Sequence, residues 1–326
     1  MAQKEILKSI PSGWFAVCFS HELLPGKMLS RVFNENDIVL FRTKQGVASA
    51  LDAYCPHLGA HLGHGGTVKS NVLQCPFHGL CFNTNGNCVS HDLNSTKINS
   101  WPIQEVDGVI YLYYGHQKEK PSWEVPSILK RGSWGAPVFF TYIDLKTHPQ
   151  DWSENAIDFA HLSYLHGFKS TNYDFKMATK GPYFKIGYHF KSDFKPLGIK
   201  IEISDVKTTI ESHGLGCAVI EVISESIGMI ACQITLPTMT TIGKLDLRVV
   251  GFADTKHIEK LNPLLKFVPQ KWLNKIIAKS VLKVYLKNIE QDIDILSNRT
   301  LVDKLTQLPE DGPITEYRKW TKQFYQ

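Results

Sequence analysis

Residues 52–66, DAYCPHLGAHLGHGG, and residues 73–82, LQCPFHGLCF, decide how the first third of this chain folds. Cys55 and His57 form a C-x-H pair, Cys75 and His78 a C-x-x-H pair, and 17 residues separate the two. Two thiols and two imidazoles are a metal-ligand set, suited either to a tetrahedral zinc or to a 2Fe-2S cluster in which histidines replace cysteines on one iron. Gly59, Gly63, Gly65 and Gly79 stand in the same loops and let backbone amides approach bridging sulfides, which a bare zinc does not need. Each loop also supplies one sulfur and one imidazole, so sulfur can gather on one iron and nitrogen on the other. The cluster is the favoured reading, with a zinc ribbon as the alternative. His61, His64 and His91 read as surface or supporting histidines, and Cys18, Cys81, Cys88, Cys217 and Cys232 as buried apolar thiols.

Outward from these loops, the text between Gly13 and His116 breaks into short β-branched and aromatic runs punctuated by Gly, Asn and Pro: WFAVCF, DIVLFRT, VASALDAY and VIYLYYG. That pattern predicts an all-β module. The polar, proline-bearing run KEKPSWEVP, Lys118 to Pro126, marks a boundary, so residues 13–117 are expected to form one domain and 118–326 another. The second part opens with the strand-like VFFTYIDLKT and turns helical through DWSENAIDFAHLSYLHG, where Gly167 offers a stop. Alternating β-branched text, YFKIGYHF, IKIEISDV and CAVIEVIS, follows, and the C-terminal stretch is again mostly helical. Helix, long sheet, then helix implies an α+β fold with helices packed on an antiparallel sheet.

At 326 residues the chain exceeds one comfortable core, in keeping with two domains. Hydrophobic residues at 43% and charged residues at 21% suit a folded globular protein, so disorder is not expected. A net charge of +5 is too small and dispersed to argue for nucleic acid. The first residues lack the apolar core of a secretory signal, and no apolar run is long enough to span a bilayer. Seven cysteines without a repeated spacing do not form a secreted disulfide framework, so a cytoplasmic location is expected.

A second constellation follows at Glu154-x3-Asp158-x2-His161-x4-His166. Glu154, Asp158 and His161 fall on one helical face by their i, i+4 and i+3 steps. His166 does not share it: five residues turn an ideal helix by about 500°, leaving His166 about 140° from His161 unless the helix ends or distorts between them. Two histidines and one carboxylate form the facial triad of non-haem Fe(II) oxygenases, so a carboxylate must come from elsewhere. In NIEQDIDILSNR, Asp292 lies about 60° from Ile289, inside the apolar stripe, whereas Asp294 sits about 140° away. A carboxylate on a buried face needs a partner, and Asp292 is therefore preferred as the third ligand.

C-P-H-x-G-A-H followed by C-P-x-H-G resembles the Rieske domain of ring-hydroxylating and related oxygenases, and Glu154 to His166 resembles that family's D/E-x3-D-x2-H-x4-H signature. Ala60 and Phe77 stand where respiratory Rieske proteins carry two further cysteines, which points to the oxygenase type. The resemblance covers nearly the whole chain. It implies a Rieske 2Fe-2S domain held by Cys55, His57, Cys75 and His78, then a START-like helix-grip catalytic domain with Fe(II) on His161, His166 and Asp292. Asp158, Asn155 and Glu154 are the candidate catalytic residues, and dioxygen is the co-substrate. The resemblance further implies a homotrimer in which Asp158 bridges to His78 of the partner subunit. The ending DGPITEYRKWTKQFY and the QDIDIL segment look like the sterol-acting branch, which implies a bulky apolar substrate and hydroxylation ahead of desaturation or dealkylation.

No flavin or nicotinamide fingerprint occurs, so a separate NAD(P)H-dependent reductase, a ferredoxin, or both are expected as partners. Seven lysines and no acidic residue lie between Lys260 and Lys287, with Lys271, Lys275, Lys279, Lys283 and Lys287 repeating every four residues. A solvated helix face, docking of an acidic ferredoxin and peripheral membrane contact are the three readings of that stripe. The apolar positions shift round the axis between Trp272 and Ile289, so a bend or two helices is expected there. A zinc ribbon fused to a lipid-binding grip fold and a pure Rieske electron carrier are the alternatives to an enzyme.

Overall fold

In the computed structural model the described residues are 9–325 without 91, 92, 94, 195–200, 261, 301 and 303; at 118, 169–176, 192–194 and 201–205 only the backbone is described. His91 lies outside the described residues. The chain divides into two units, one of residues 12–126 with 238–242, the other of residues up to 11, 127–237 and 243 onward.

The first unit is built of short antiparallel strands, as its Gly- and Asn-punctuated text requires. They are β1 (Gly13–Phe19), β2 (Met28–Phe33), β3 (Asn36–Arg42), β4 (Ala48–Asp52), β5 (Thr67–Lys69), β6 (Val72–Gln74), β7 (Cys81–Phe82), β8 (Ser100–Trp101), β9 (Ile103–Val106) and β10 (Val109–Tyr114). Three sheets result, ordered β1-β10-β9, β2-β3-β4-β8 and β5-β6-β7. One core gathers Phe15, Phe33, Ile38 and Leu112; a second gathers Val39, Leu62, Leu73 and Phe82 around Cys55 and Cys75. The β2–β3 hairpin turns on Asn34 and Glu35, both at positive φ (51° and 60°). Their amides donate to the Met239 and Thr240 carbonyls at 3.1 and 2.8 Å, which helps hold a non-glycine turn in that conformation.

The second unit is a seven-stranded sheet ordered β11-β17-β16-β15-β14-β13-β12. Its strands are β11 (Val138–Leu145), β12 (Lys169–Lys180), β13 (Tyr183–Phe194), β14 (Ile201–His213), β15 (Ala218–Ser224), β16 (Met229–Thr241) and β17 (Lys244–Asp254). Among the described residues four α-helices accompany it: α1 (Pro149–Asn155), α2 (Ala160–Tyr164), α3 (Gln270–Asn298) and α4 (Ile314–Thr321). Leu245, Leu247 and Val249 of β17 alternate toward α3 and meet Leu282, Ile289 and Leu296 there. The whole is the α+β arrangement expected, an antiparallel sheet gripped by one long helix. Of the two expectations for α3, a bend or two helices, the second does not hold: the 29 residues run as one unbroken helix. Its buried row instead shifts from Leu273 and Ile277 to Ile289 and Leu296, a drift that the mismatch between four-residue spacing and 3.6 residues per turn produces without a break. Among the described residues no helix is long and apolar enough to cross a membrane.

Helix α1 is a buried fastening point. Pro149 sits at its first turn, and the His148 ring accepts the Gln150 amide at 3.1 Å as a cap. Glu154 accepts two hydrogen bonds from Arg318 of α4, at 2.6 and 2.7 Å, with both side chains under one-tenth exposed. Arg299 pairs with Asp151 on the preceding turn. Arg318→Leu leaves the buried Glu154 with only Arg299, 3.9 Å away, to offset its charge and is expected to cost about 3 kcal/mol in urea denaturation, while Glu154→Met with Arg318→Leu restores most of it.

Burial lowers the pKa of His148 and of His213 from 6.5 to about 4. Both rings therefore stay neutral in the folded chain while the unfolded chain takes up protons below 6.5, so stability is full above 6.5 and declines as pH falls toward 4. The denaturation midpoint should fall over that window, and fall less steeply in His213→Phe.

Candidate metal centres

The two Gly-rich loops of the first unit are built alike. The Cys55 amide donates to the Ala60 carbonyl at 2.9 Å and the Cys75 amide to the Leu80 carbonyl at 2.8 Å. In each, a glycine four residues on returns its amide to the cysteine carbonyl, and glycine adopts the positive φ of Gly59 (72°) and Gly79 (73°) without the steric cost a side chain would add. Repetition of the same turn places both thiols in the core and both imidazoles at the surface. Cys55 and Cys75 are buried, whereas His57 and His78 are exposed with ring centroids 4.6 Å apart. Burial pushes the Cys55 thiol up, and Cys75 beside it adds to that, so a thiolate pair here requires a cation. The four side chains suit a cluster whose inner iron takes sulfur and whose outer iron takes nitrogen. His61 serves the loop rather than a metal: its Nδ1 accepts the Gly63 amide at 3.0 Å, and its ring meets Tyr54 edge-on. Of the five remaining cysteines, Cys81 is half-buried rather than buried.

The second constellation does not lie on one helix, contrary to the sequence expectation. The α1 helix ends at Asn155 and α2 begins only at Ala160. A break there lets Glu154 turn into the Arg318 pair while His161 reaches Asp292 with Asp158 beside it, so Glu154 is not brought to the site. The α2 helix ends before His166, with Gly167 at φ 70° and the Phe168 amide on the Leu162 carbonyl at 3.1 Å. That termination removes the 140° separation of an ideal helix, and the His161 and His166 rings stand 5.0 Å apart. Asp292 arrives from α3 on its buried row, with Oδ1 3.1 Å from His166 Nε2 and 3.8 Å from His161 Nε2. Asp294 is exposed and elsewhere on the helix.

His161, His166 and Asp292 each offer a ligand atom, all within 4.8 Å of one another. Asp292 Oδ1 is buried and, among the described residues, accepts no aligned hydrogen bond despite the nearby rings. A buried carboxylate oxygen facing two imidazole nitrogens without an aligned donor is what a metal position leaves behind. Beyond the rings, Asp158 Oδ1 accepts the His161 backbone amide at 3.4 Å and its Oδ2 stands 3.7 Å from His161 Nδ1, too far for a hydrogen bond, while His166 Nδ1 lies 3.1 Å from Gln291 Oε1. Burial alone would raise the Asp158 carboxyl, but His161, with Arg299 adding, holds it below the usual range. Burial would lower His166, and Asp292 outweighs it, so that ring sits above its ordinary pKa. Gln291 was not legible in the sequence; adjacency to Asp292 is its one signal. The site opens on a cavity lined by Phe168, Tyr188, Phe190, Ile210, Ile220 and Val222, with Asn155, Gln233, Tyr285 and Asn288 among its polar positions.

The Rieske 2Fe-2S domain family matches residues 13–102, and the 3-ketosteroid 9alpha-hydroxylase C-terminal domain family matches residues 112–325. This chain belongs to the Rieske oxygenases. It is 30% identical to cholesterol 7-desaturase nvd 1 of Ciona intestinalis over 97% of this chain and 68% of that protein. It is 24% identical to the oxygenase component of 3-ketosteroid-9-alpha-monooxygenase of Rhodococcus rhodochrous, over 96% of this chain and 83% of the relative. The fold is shared with NdmA of Pseudomonas putida CBB5 with caffeine (TM-score 0.69, 16% identity, 98% and 91% of the two chains). Dicamba monooxygenase bound to dicamba shares it too (TM-score 0.65, 16% identity, 98% and 97%). As a Rieske oxygenase the chain is an oxidoreductase that uses a Rieske cluster, ferrous iron and dioxygen, which sets aside the zinc-ribbon and electron-carrier alternatives.

In a Rieske domain the loops must keep their close backbone approach. A Cβ at Gly66 would collide with the Leu62 carbonyl oxygen and crowd that of Gln74. Gly66→Ala should therefore shift the first loop and lower the visible cluster absorbance per chain, with the catalytic half still folded by limited proteolysis.

Proposed function

We propose that this chain is the terminal oxygenase of a multicomponent system that hydroxylates, or desaturates, a sterol or ketosteroid. The observation that carries the reading is the His161–His166–Asp292 group set at the wall of a largely apolar cavity. Cys55, His57, Cys75 and His78 hold the Rieske cluster in the electron-carrying half, residues 13–117. His161, His166 and Asp292 hold the ferrous ion in the oxygen-activating half, residues 118–326. When bound, these groups supply one-electron transfer and dioxygen activation.

The chain's own residues do the rest. Asp158 accepts the His161 backbone amide and places its carboxylate charge 3.7 Å from His161 Nδ1, and Gln291 Oε1 orients His166 through Nδ1. Phe168, Tyr188, Phe190 and Ile220 exclude water and give a fused-ring hydrocarbon its apolar bed. Burial, then the Asp292 charge, keeps the Tyr285 phenol protonated, so it can donate to a substrate oxygen. The relatives' sterol and ketosteroid substrates support the same class here.

Electrons come from a separate NAD(P)H-dependent reductase, directly or through a ferredoxin, since the sequence has no nucleotide-binding fingerprint. The working assembly is a homotrimer in which Asp158 reaches His78 of the partner subunit, and the exposed position of His57 and His78 supports such delivery. Five cysteines outside the cluster ligands, none of them in a disulfide, support a cytoplasmic setting.

Incubation with a surrogate reductase, labelled dioxygen and a panel of sterols, ketosteroids and fatty acids should give a sterol product bearing one labelled hydroxyl or a new double bond. Products from fatty acids alone would sink the substrate assignment. His161→Ala and Asp292→Ala should lower iron from about three to about two per chain and abolish turnover, while the cluster still reduces.

A further inference from the structure

The N-terminal end of α3 and the turn before it carry a ridge of largely exposed apolar side chains. The 3-10 turn Pro263–Phe267 buries none of its residues, and the Asn262 side chain caps it by accepting the Leu264 amide at 2.9 Å. Leu264 is 70% exposed, Phe267 75% and Trp272 69%. Lys266 Nζ lies 5.0 Å from the Phe267 ring centroid. Fixed geometry at such a ridge is costly to maintain in water unless something covers it.

Helical phase supplies the rest. Leu273, Asn274, Ile277 and Ala278 are buried. At about 100° per residue, Trp272, Ile276, Lys275 and Lys279 fall within about 50° of the direction opposite that buried row. The outward face of this half-helix therefore alternates large apolar and cationic side chains. No acidic residue interrupts the seven lysines between Lys260 and Lys287. The same helix lines the cavity with Tyr285, roughly 20 Å along its axis from Trp272.

We propose that this ridge is a membrane-docking surface that seats in the headgroup region of an anionic bilayer. Trp272, Phe267 and Leu264 would enter the acyl boundary, and Lys266, Lys271, Lys275 and Lys279 would lie along the phosphates. An acidic protein partner would match the lysines but leave the protruding apolar side chains, which precede and open the helix, without a counterpart. The inference stands independently of the substrate assigned above, because it rests on exposure, phase and charge alone.

The test is co-sedimentation of the holoenzyme with phosphatidylcholine vesicles, with or without a minor fraction of phosphatidylserine. Binding to the anionic vesicles at moderate salt, and at least tenfold weaker binding by Phe267→Ser with Trp272→Ser, is expected; Lys275→Gln and Lys279→Gln should each weaken it about fivefold. Cluster absorbance and thermal unfolding of each variant report that the fold is kept. Failure of the wild type to sediment with anionic vesicles overturns the proposal. So does equal sedimentation by the Phe267, Trp272 double variant, or a change in its oligomeric state, which would assign the ridge to a second copy. Loss of reductase-driven turnover in the lysine variants with vesicle binding unchanged would assign the cations to the redox partner and likewise overturn it.

Discussion

Asp292 rides on the row of α3 that packs against the sheet, and a carboxylate in that position is stable only where cationic or metal partners face it. The partners are two imidazoles on a separate segment, and neither is aligned to donate to Oδ1. Much of the second unit serves that meeting. The β17 strand and α3 share the core that fixes the helix, and α1 is pinned beneath by Glu154–Arg318 and Asp151–Arg299. The break after Asn155 and the stop before Gly167 then bring Asp158, His161 and His166 round to the carboxylate.

The Rieske unit solves a related problem by repetition. Its thiols are buried and its imidazoles exposed because the same glycine-dependent turn is used in both loops. Buried thiolates are tolerable beside a cation, and exposed imidazoles leave an edge through which electrons can pass. Burial in one half and surface in the other gives the two centres different surroundings: a half-open one for electron entry, a walled one for oxygen chemistry on an apolar molecule.

Glu154 shows how helical phase can mislead. Spacing alone put it with Asp158 and His161, but phase holds only while a helix is continuous, and the chain breaks between residues 155 and 160. The same reasoning worked for Asp292 against Asp294, because α3 is unbroken there. It erred in allowing two helices there, since a drifting buried row needs no break in the helix.

The sequence by itself determined the family's chemistry and the α+β order of elements, and it singled out the residues proposed to serve that chemistry: two cysteine–histidine pairs, two further histidines and a carboxylate chosen by burial. Those follow from local rules, since ligand type, turn glycines and side-chain period act over a few residues. Only the tertiary structure decided which residues meet. Gln291 behind His166, Arg318 on Glu154, the cavity wall from four strands and the exposure of Trp272 all join or separate positions far apart in the chain. Long-range contacts of that kind depend on how sheet and helix pack, and no periodicity within a segment records them.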